Sequence, residues 1–445
     1  MFENIIDQGA ALQLRDDLAS RRQAPSMLFF GPSESGKGSA ALELARVLSC
    51  EGEGSWECTC PACKRHRYLQ HNDLLLMGPR SFGAETAASC SAFLRDPSGP
   101  AAKTLFIRSL RKLQARFSPV LMENDPKLGK ISAVLQSLEE GLNELEITAA
   151  DAENQAALEK LCGSLIKDAI KLEDQGMGGA IPINHIRRAS WWCRLAPNGK
   201  RKTLIIENAD KMREEARNSL LKLLEEPPDT VSIVLTSQRR EAIMATILSR
   251  LRPYRFLKRD AESEKKIIRR VFRDTQAVFT PASAAGGSLI SAYLDSFLPH
   301  SAEKLYPLAA YFLASLARTA FVSLKKKRAA IPEIVTAIGV RYTPIAKAAG
   351  FEDSVNTAVI IKTLLAKSGN FEDGSFSRFL KTVLDMVSQI IREAQDPQHI
   401  AYNDKIKKYI NEAETAAGVL NQNTALALEA LFRKIKISLS GDLHG

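Results

Sequence analysis

The chain has 445 residues, too many for one hydrophobic core, so two to four domains are expected. Its composition, 45% hydrophobic and 25% charged, is ordinary for a soluble globular protein, and a formal net charge of +10 permits a nucleic-acid partner without specifying a fold. No uninterrupted apolar run approaches the ~18 residues that span a bilayer, and Met1-Phe2-Glu3-Asn4 opens no signal peptide; the expectation is a cytoplasmic chain with no membrane contact.

In chain order, Ser26–Phe30 is a short apolar run ending at Gly31 and reads as a buried strand, followed by an Ala/Leu-rich helix over Ser39–Leu48. Between them, Gly31-Pro32-Ser33-Glu34-Ser35-Gly36-Lys37-Gly38 fits G-x-x-x-x-G-K in the strand–loop–helix setting that a phosphate-binding loop requires. Gly31 and Gly36 let backbone amides approach phosphate oxygens, and Lys37 reaches the outer phosphates. The eighth position, where a Ser or Thr hydroxyl would bind magnesium, is Gly38; Ser39 comes one residue late. ATP is therefore a candidate ligand, held without being hydrolysed.

Cys50, Cys58, Cys60 and Cys63 fall within 14 residues, whereas Cys90, Cys162 and Cys193 are scattered and read as buried or incidental thiols. Four clustered thiols suit a closed, structural zinc site better than a disulfide frame. His66 and His71 lie close enough to replace one thiol.

Leu74–Met77 reads as a second strand. The segment from about 80 to 180 then interrupts the strand–helix alternation: Phe106, Leu110, Leu113 and Phe117, and later Ile131, Leu135, Leu138, Leu142 and Leu145, mark amphipathic helices. This is expected to be a helical insertion, either a projecting hairpin or cover packed on the domain, closed by Gly176-Met177-Gly178-Gly179. Trp191-Trp192 is expected to pack a helix into the core.

Thr203–Ile206 and Val231–Leu235 are further strands, with a helix over Ala216–Glu226 between them. Alternation of this kind predicts a mainly parallel sheet. At the strand end Glu207-Asn208-Ala209-Asp210, Glu207 could hold a cation, but the Asn208 amide cannot act as a general base. Asp210 is at the wrong offset and reads as a helix cap. From Lys258 the pattern is helical, with breaks near Gly286-Gly287, Pro299, Pro332 and Asp396-Pro397 and a frayed end over Ser438–Gly445. Lys325-Lys326-Lys327-Arg328 reads as a solvated helix end.

The order of these motifs resembles the clamp-loader AAA+ family of bacterial DNA polymerase III, which also places a four-cysteine module after the phosphate-loop helix. Asn218–Pro228 (NSLLKLLEEPP) is similar to the family's N-x-L-L-K-x-L-E-E-P-P signature. Leu235-Thr236-Ser237 resembles its sensor-1 strand end, and Ile247-Leu248-Ser249-Arg250-Leu251 its I-x-S-R-C motif. The resemblance covers Met1 to about Arg80 and Ile183 to Lys258.

It implies an α/β fold: a P-loop AAA+ domain with a parallel sheet over 1–257, carrying the zinc module and the insertion, an all-α lid over 258–298 and an all-α collar over 299–445. It implies that Gly31, Gly36, Lys37, Gly38, Ser39, Glu207 and Thr236 surround a nucleotide, and that Arg250 is an arginine finger offered in trans. Gly38, Glu207-Asn208 and Gly287-Ser288-Leu289-Ile290, with Ile290 in place of the sensor-2 arginine, depart from the motor pattern and resemble the delta-prime stator. The implied partners are gamma/tau and delta subunits, the sliding clamp, and primer-template DNA through nonspecific backbone contacts. A gamma/tau-type ATPase, and a non-enzymatic AAA+-fold scaffold or DNA-binding adaptor, are the alternatives.

Overall fold

A computed structural model describes residues 1–148, 154–277, 288–298, 302–371, 375–394, 397–418 and 422–440. The predicted breaks at Gly286-Gly287 and Pro299, Asp396, Gly287 of the sensor-2 stretch and the last five residues of the tail lie outside them. The chain divides into two units, Met1–Leu298 and Pro299–Gly445.

The first unit is built on a five-stranded parallel sheet: β1 Ser26–Phe30, β2 Leu74–Met77, β3 Lys202–Ile206, β4 Val231–Ser237 and β5 Arg252–Arg255, in spatial order β2-β3-β4-β1-β5. β3 and β4 are buried along their whole length and β1 over its first four residues, as strands covered on both faces must be. β5 escapes sequence reasoning because Arg-Pro-Tyr-Arg is neither a run nor a clean alternation. It is tolerated at the edge, where Pro253 costs no ladder bond on the open side. Its one core residue, Tyr254, is fully buried with its hydroxyl 2.8 Å from Asp17 Oδ2.

The segment after β2 forms helices Gly83–Arg95, Pro100–Gln114, Leu128–Ile147 and Gln155–Gly176. The last two pack side by side along Ile131, Leu138, Leu142, Leu145, Leu158 and Leu165, and all four helices share one apolar cluster. A 3-10 turn, Ala115–Phe117, carries this cluster to the sheet. At Gly176 any Cβ would sit 2.4 Å from the Phe117 ring, so the glycine there serves close packing. Trp192 is buried over the Lys202 ammonium, but Trp191 is half exposed, so only one of the tandem tryptophans reaches the core. Helices Ala261–Val271 and Leu289–Ser296 complete the unit, with Ile268, Phe272, Ile290 and Tyr293 packed on Ala88 and Ala92 of the inserted segment.

The second unit contains helices Ala302–Lys327, Glu333–Ala348, Thr357–Ser368, Ser375–Ala394, Pro397–Gly418 and Thr424–Leu439 around a core that includes Phe312, Tyr342, Phe379 and Phe432. Leu305–Lys327, although interrupted by Ser315, Arg318, Thr319 and Ser323, is long and apolar enough by composition to cross a membrane. In this fold 72% of its most apolar 18-residue window is buried, its apolar side chains being consumed by the core. Lys325–Arg328 is exposed.

Candidate functional site

In a parallel sheet, ligands bind at the carboxyl ends of the strands. Here those ends bring together the loop after β1, Arg80 after β2, Glu207 after β3 and Thr236 at the end of β4. The loop keeps its glycine-dependent shape. Gly31 has φ +148°, and a Cβ there would lie 2.0 Å from the Phe256 carbonyl oxygen; Gly36 has φ +92°. The helix that follows runs Lys37–Ser49. The amides of Gly36, Lys37, Gly38 and Ser39 donate to no acceptor among the described residues. Lys37 Nζ folds onto the Gly31 carbonyl (2.7 Å), the Pro32 carbonyl and Ser35 Oγ (3.2 Å). Burial lowers its pKa to about 8 against the opposing pull of Glu34 and Glu207. Ser39 is exposed.

Beside this cradle lies a cluster of charges that the sequence did not reveal. Glu207 forms an ion pair with Arg116, which the inserted segment delivers through its 3-10 turn, and Arg116 also donates to the Met77 carbonyl at 2.7 Å. Arg80 is 3.7 Å from Glu207 Oε1 and 2.6 Å from Glu85 Oε2, and Glu85 also pairs with Lys112. Burial would favour neutral carboxyls, but the surrounding cations win: Glu207 is held below the ordinary carboxylate range and Glu85 is lowered to about 2. Gly38 is part of the same arrangement, since a Cβ on it would be 2.5 Å from Glu207 Oε1. Glu207, read from sequence as able to hold a metal cation, is here paired with a guanidinium of its own chain.

The neighbouring strand ends are spent on internal bonds. Asn208, in left-handed conformation, donates Nδ2–H to the Pro79 carbonyl at 2.7 Å, and its amide donates to Thr236 Oγ1 at 3.2 Å. Asp210 is not a helix cap: the helix begins at Glu214, and the Asp210 carboxylate instead accepts from Ser237 Oγ at 2.9 Å. Ser288 caps the helix beginning at Leu289, and Ile290 is buried in apolar packing.

Arg250 lies elsewhere. It stands two residues before β5, whose Arg252 is in register with Met27 near the start of β1. It therefore lies at the amino-terminal edge of the sheet, opposite its own phosphate loop. It is exposed, 2.8 Å from Glu225 Oε1 and 2.7 Å from the Thr246 carbonyl.

The four clustered cysteines converge, with all sulfurs within 4.8 Å of one another and Cys50 Sγ 3.5 Å from Cys58 Sγ. This fits a tetrahedral ion with Zn–S bonds of about 2.3 Å. Cys50 ends the phosphate-loop helix and Cys60 caps helix Pro61–Arg67, accepting from the Cys63 amide. Burial opposes ionisation of Cys60, but amide donors from Glu51 and Cys63 outweigh it and lower its pKa to about 6. Arg46, paired with Glu43 and buried, donates to Cys63 Sγ at 2.9 Å. The group of four includes neither histidine; His66 stacks on His71 with ring centroids 4.1 Å apart. Cys90, Cys162 and Cys193 are buried free thiols.

A family model described as DNA polymerase III, delta subunit, matches residues 6–146 and 147–260. The chain belongs to this family. Membership makes it a clamp-loader-type subunit of DNA polymerase III, in DNA replication, whose partners are other members of that complex. No curated protein matches the chain. Among solved structures it is similar to a DNA polymerase III gamma subunit-related protein of Thermotoga maritima, with 17% identity, a TM-score of 0.26, and coverage of 62% of this chain and 89% of that one.

Proposed function

We propose that this chain is a delta-prime-type stator of the clamp loader, which offers Arg250 to ATP bound on a neighbouring gamma/tau-type subunit and has no ATPase activity of its own. The observation that carries the reading is the placement of Arg250. It is exposed at the amino-terminal edge of the sheet, away from the loop it would otherwise have to serve, and among the described residues is held only by an exposed ion pair and its own turn. A guanidinium is permanently charged and presents several donors to a phosphate oxygen, which suits a contact made across a subunit boundary. At the chain's own site, Gly38 lacks the metal-binding hydroxyl, Asn208 is an amide committed to Pro79, Thr236 is bonded to Asn208, and Ile290 replaces a cation. A gamma/tau-type ATPase would need those groups.

In this reading Gly31, Gly36, Lys37, Gly38, Ser39, Glu207 and Thr236 form a relict nucleotide site, and Cys50, Cys58, Cys60 and Cys63 hold structural zinc. The helices from Ala261 to Ser296 act as a lid, the second unit joins the collar of the ring, and basic side chains meet primer-template DNA without reading its sequence. The test is reconstitution with gamma/tau and delta subunits and a sliding clamp, followed by DNA-stimulated ATP turnover. Arg250→Ala is expected to assemble normally and lower turnover by about tenfold or more, as loss of an arginine finger does. Unchanged turnover overturns the reading.

A further inference from the structure

The family resemblance implies a magnesium ion between the eighth loop residue and the acid at the end of β3, and the residues here do not fit one. Gly38 offers no oxygen, and a Ser or Thr there would run into Glu207, whose Oε1 lies 2.5 Å from the Cβ position. The other Glu207 oxygen belongs to Arg116, and Arg80 stands 3.7 Å from the first. Yet the parts that touch phosphate are all retained. The glycines hold their special backbone shapes, the amides of Gly36, Lys37, Gly38 and Ser39 have no acceptor among the described residues, and the Lys37 ammonium is bonded to oxygens of its own loop. A phosphate oxygen can take the place of those oxygens around the Lys37 ammonium, while Ser35 Oγ keeps its bond to the Pro32 carbonyl.

We propose that this loop binds the phosphates of a nucleoside di- or triphosphate without a divalent cation, and that the Arg116 guanidinium takes over the ion's electrostatic role opposite Glu207. The pairing supports the exchange: Arg116 is ion-paired with Glu207 and Arg80 stands 3.7 Å from it, so the carboxylate at the end of β3 already has its positive counterpart without an ion. The buried Arg116 guanidinium, already stripped of water, costs no metal dehydration when the phosphates arrive. Glu in place of Asp, Gly in place of Ser or Thr, and an arginine delivered by the inserted segment therefore form one coherent substitution rather than three separate losses. Part of the inserted segment thereby acquires a role, because its arginine completes the site.

The inference rests on reading the loop as a phosphate cradle, and its test is independent of Arg250. The full-length chain is titrated with N-methylanthraniloyl-ADP, followed by fluorescence, in excess magnesium and in buffer stripped of divalent ions by chelating resin, which spares the cysteine cluster. The Kd is expected to agree within about twofold between the two buffers, and Lys37→Ala to weaken binding by about tenfold in both. Arg116→Met frees Glu207 and should make binding magnesium-dependent. If that variant does not fold, Arg116→Lys, which keeps the charge, should bind without the ion. Binding by the unaltered chain that tightens about tenfold with magnesium overturns the proposal. So does the absence of saturable binding to folded protein, an outcome that leaves the role of Arg250 standing.

Discussion

Two glutamate–arginine pairs at opposite edges of the same sheet are chemically alike and physically opposite. Glu207–Arg116 is buried, with both partners nearly inaccessible and further bonded to Met77 and Arg80. Glu225–Arg250 is about a third to a half exposed and is bonded otherwise only to its own turn. A buried pair cannot release one member without leaving an uncompensated charge in a low-dielectric site. An exposed pair is worth at most about 1 kcal/mol and exchanges partners readily. Burial, more than residue type, thus separates an arginine that maintains the chain's own site from one available to another molecule.

The sharpest way to break this contrast is to remove each arginine in turn and measure stability by chemical denaturation. Arg116→Met is expected to cost about 3–5 kcal/mol, the penalty of stranding Glu207. Arg250→Ala should cost under about 1 kcal/mol. The double variant Arg116→Met/Glu207→Met should recover most of the loss, because two apolar groups of similar length replace two charges. Equal costs for the two single variants would erase the distinction.

Part of this is legible in the sequence. The glycine–lysine loop, the four cysteines and four strands announce themselves by local spacing, and in the structure the thiols converge. The ion cluster does not announce itself, because Arg80, Glu85, Lys112 and Arg116 are scattered over a segment whose clearest signal is its apolar stripe. Only folding brings Arg116 to a residue 91 positions away. Asp210 misleads for a similar reason: a polar residue before a helix looks like a cap unless a later strand supplies Ser237 as its partner. β5 stays hidden because its one anchoring residue, Tyr254, sits in a short stretch flanked by arginines.

Next in size is Gly38. Gly38→Ser should cost about 1–3 kcal/mol by overpacking against a carboxylate that Arg116 prevents from moving aside. It should restore no ATP hydrolysis. Pairing it with Glu207→Asp, which shortens the arm, should reduce the cost. A silent Gly38→Ser, read by thermal melting, would mean that Glu207 is free to move and that its pair is no lock.

A smaller effect concerns Lys37, whose pKa burial lowers to about 8, with Glu34 and Glu207 pulling it up and Arg259 and Arg80 pushing it down. Below that pH the ammonium is charged in the empty loop. Above it the amine is neutral, so binding a phosphate must take up a proton, and affinity should fall with rising pH by up to about tenfold per unit. Titrations at pH 7 and pH 9 read this directly, since the phosphate only gains negative charge over that range and would by itself strengthen binding. Affinity that rises or stays level would show that Lys37 does not meet the phosphates.

The smallest expected effect tests the other pair. Glu225→Gln leaves Arg250 exposed and charged and removes only its resting partner. Stability should change by less than about 0.5 kcal/mol, as for most surface substitutions. In the reconstituted assembly, turnover should hold or rise slightly, because a guanidinium with no competing carboxylate has less to give up when it reaches a phosphate. A loss of turnover matching that of Arg250→Ala would mean that Glu225 positions the arginine rather than merely parking it. The exposed edge would then be as organised as the buried one.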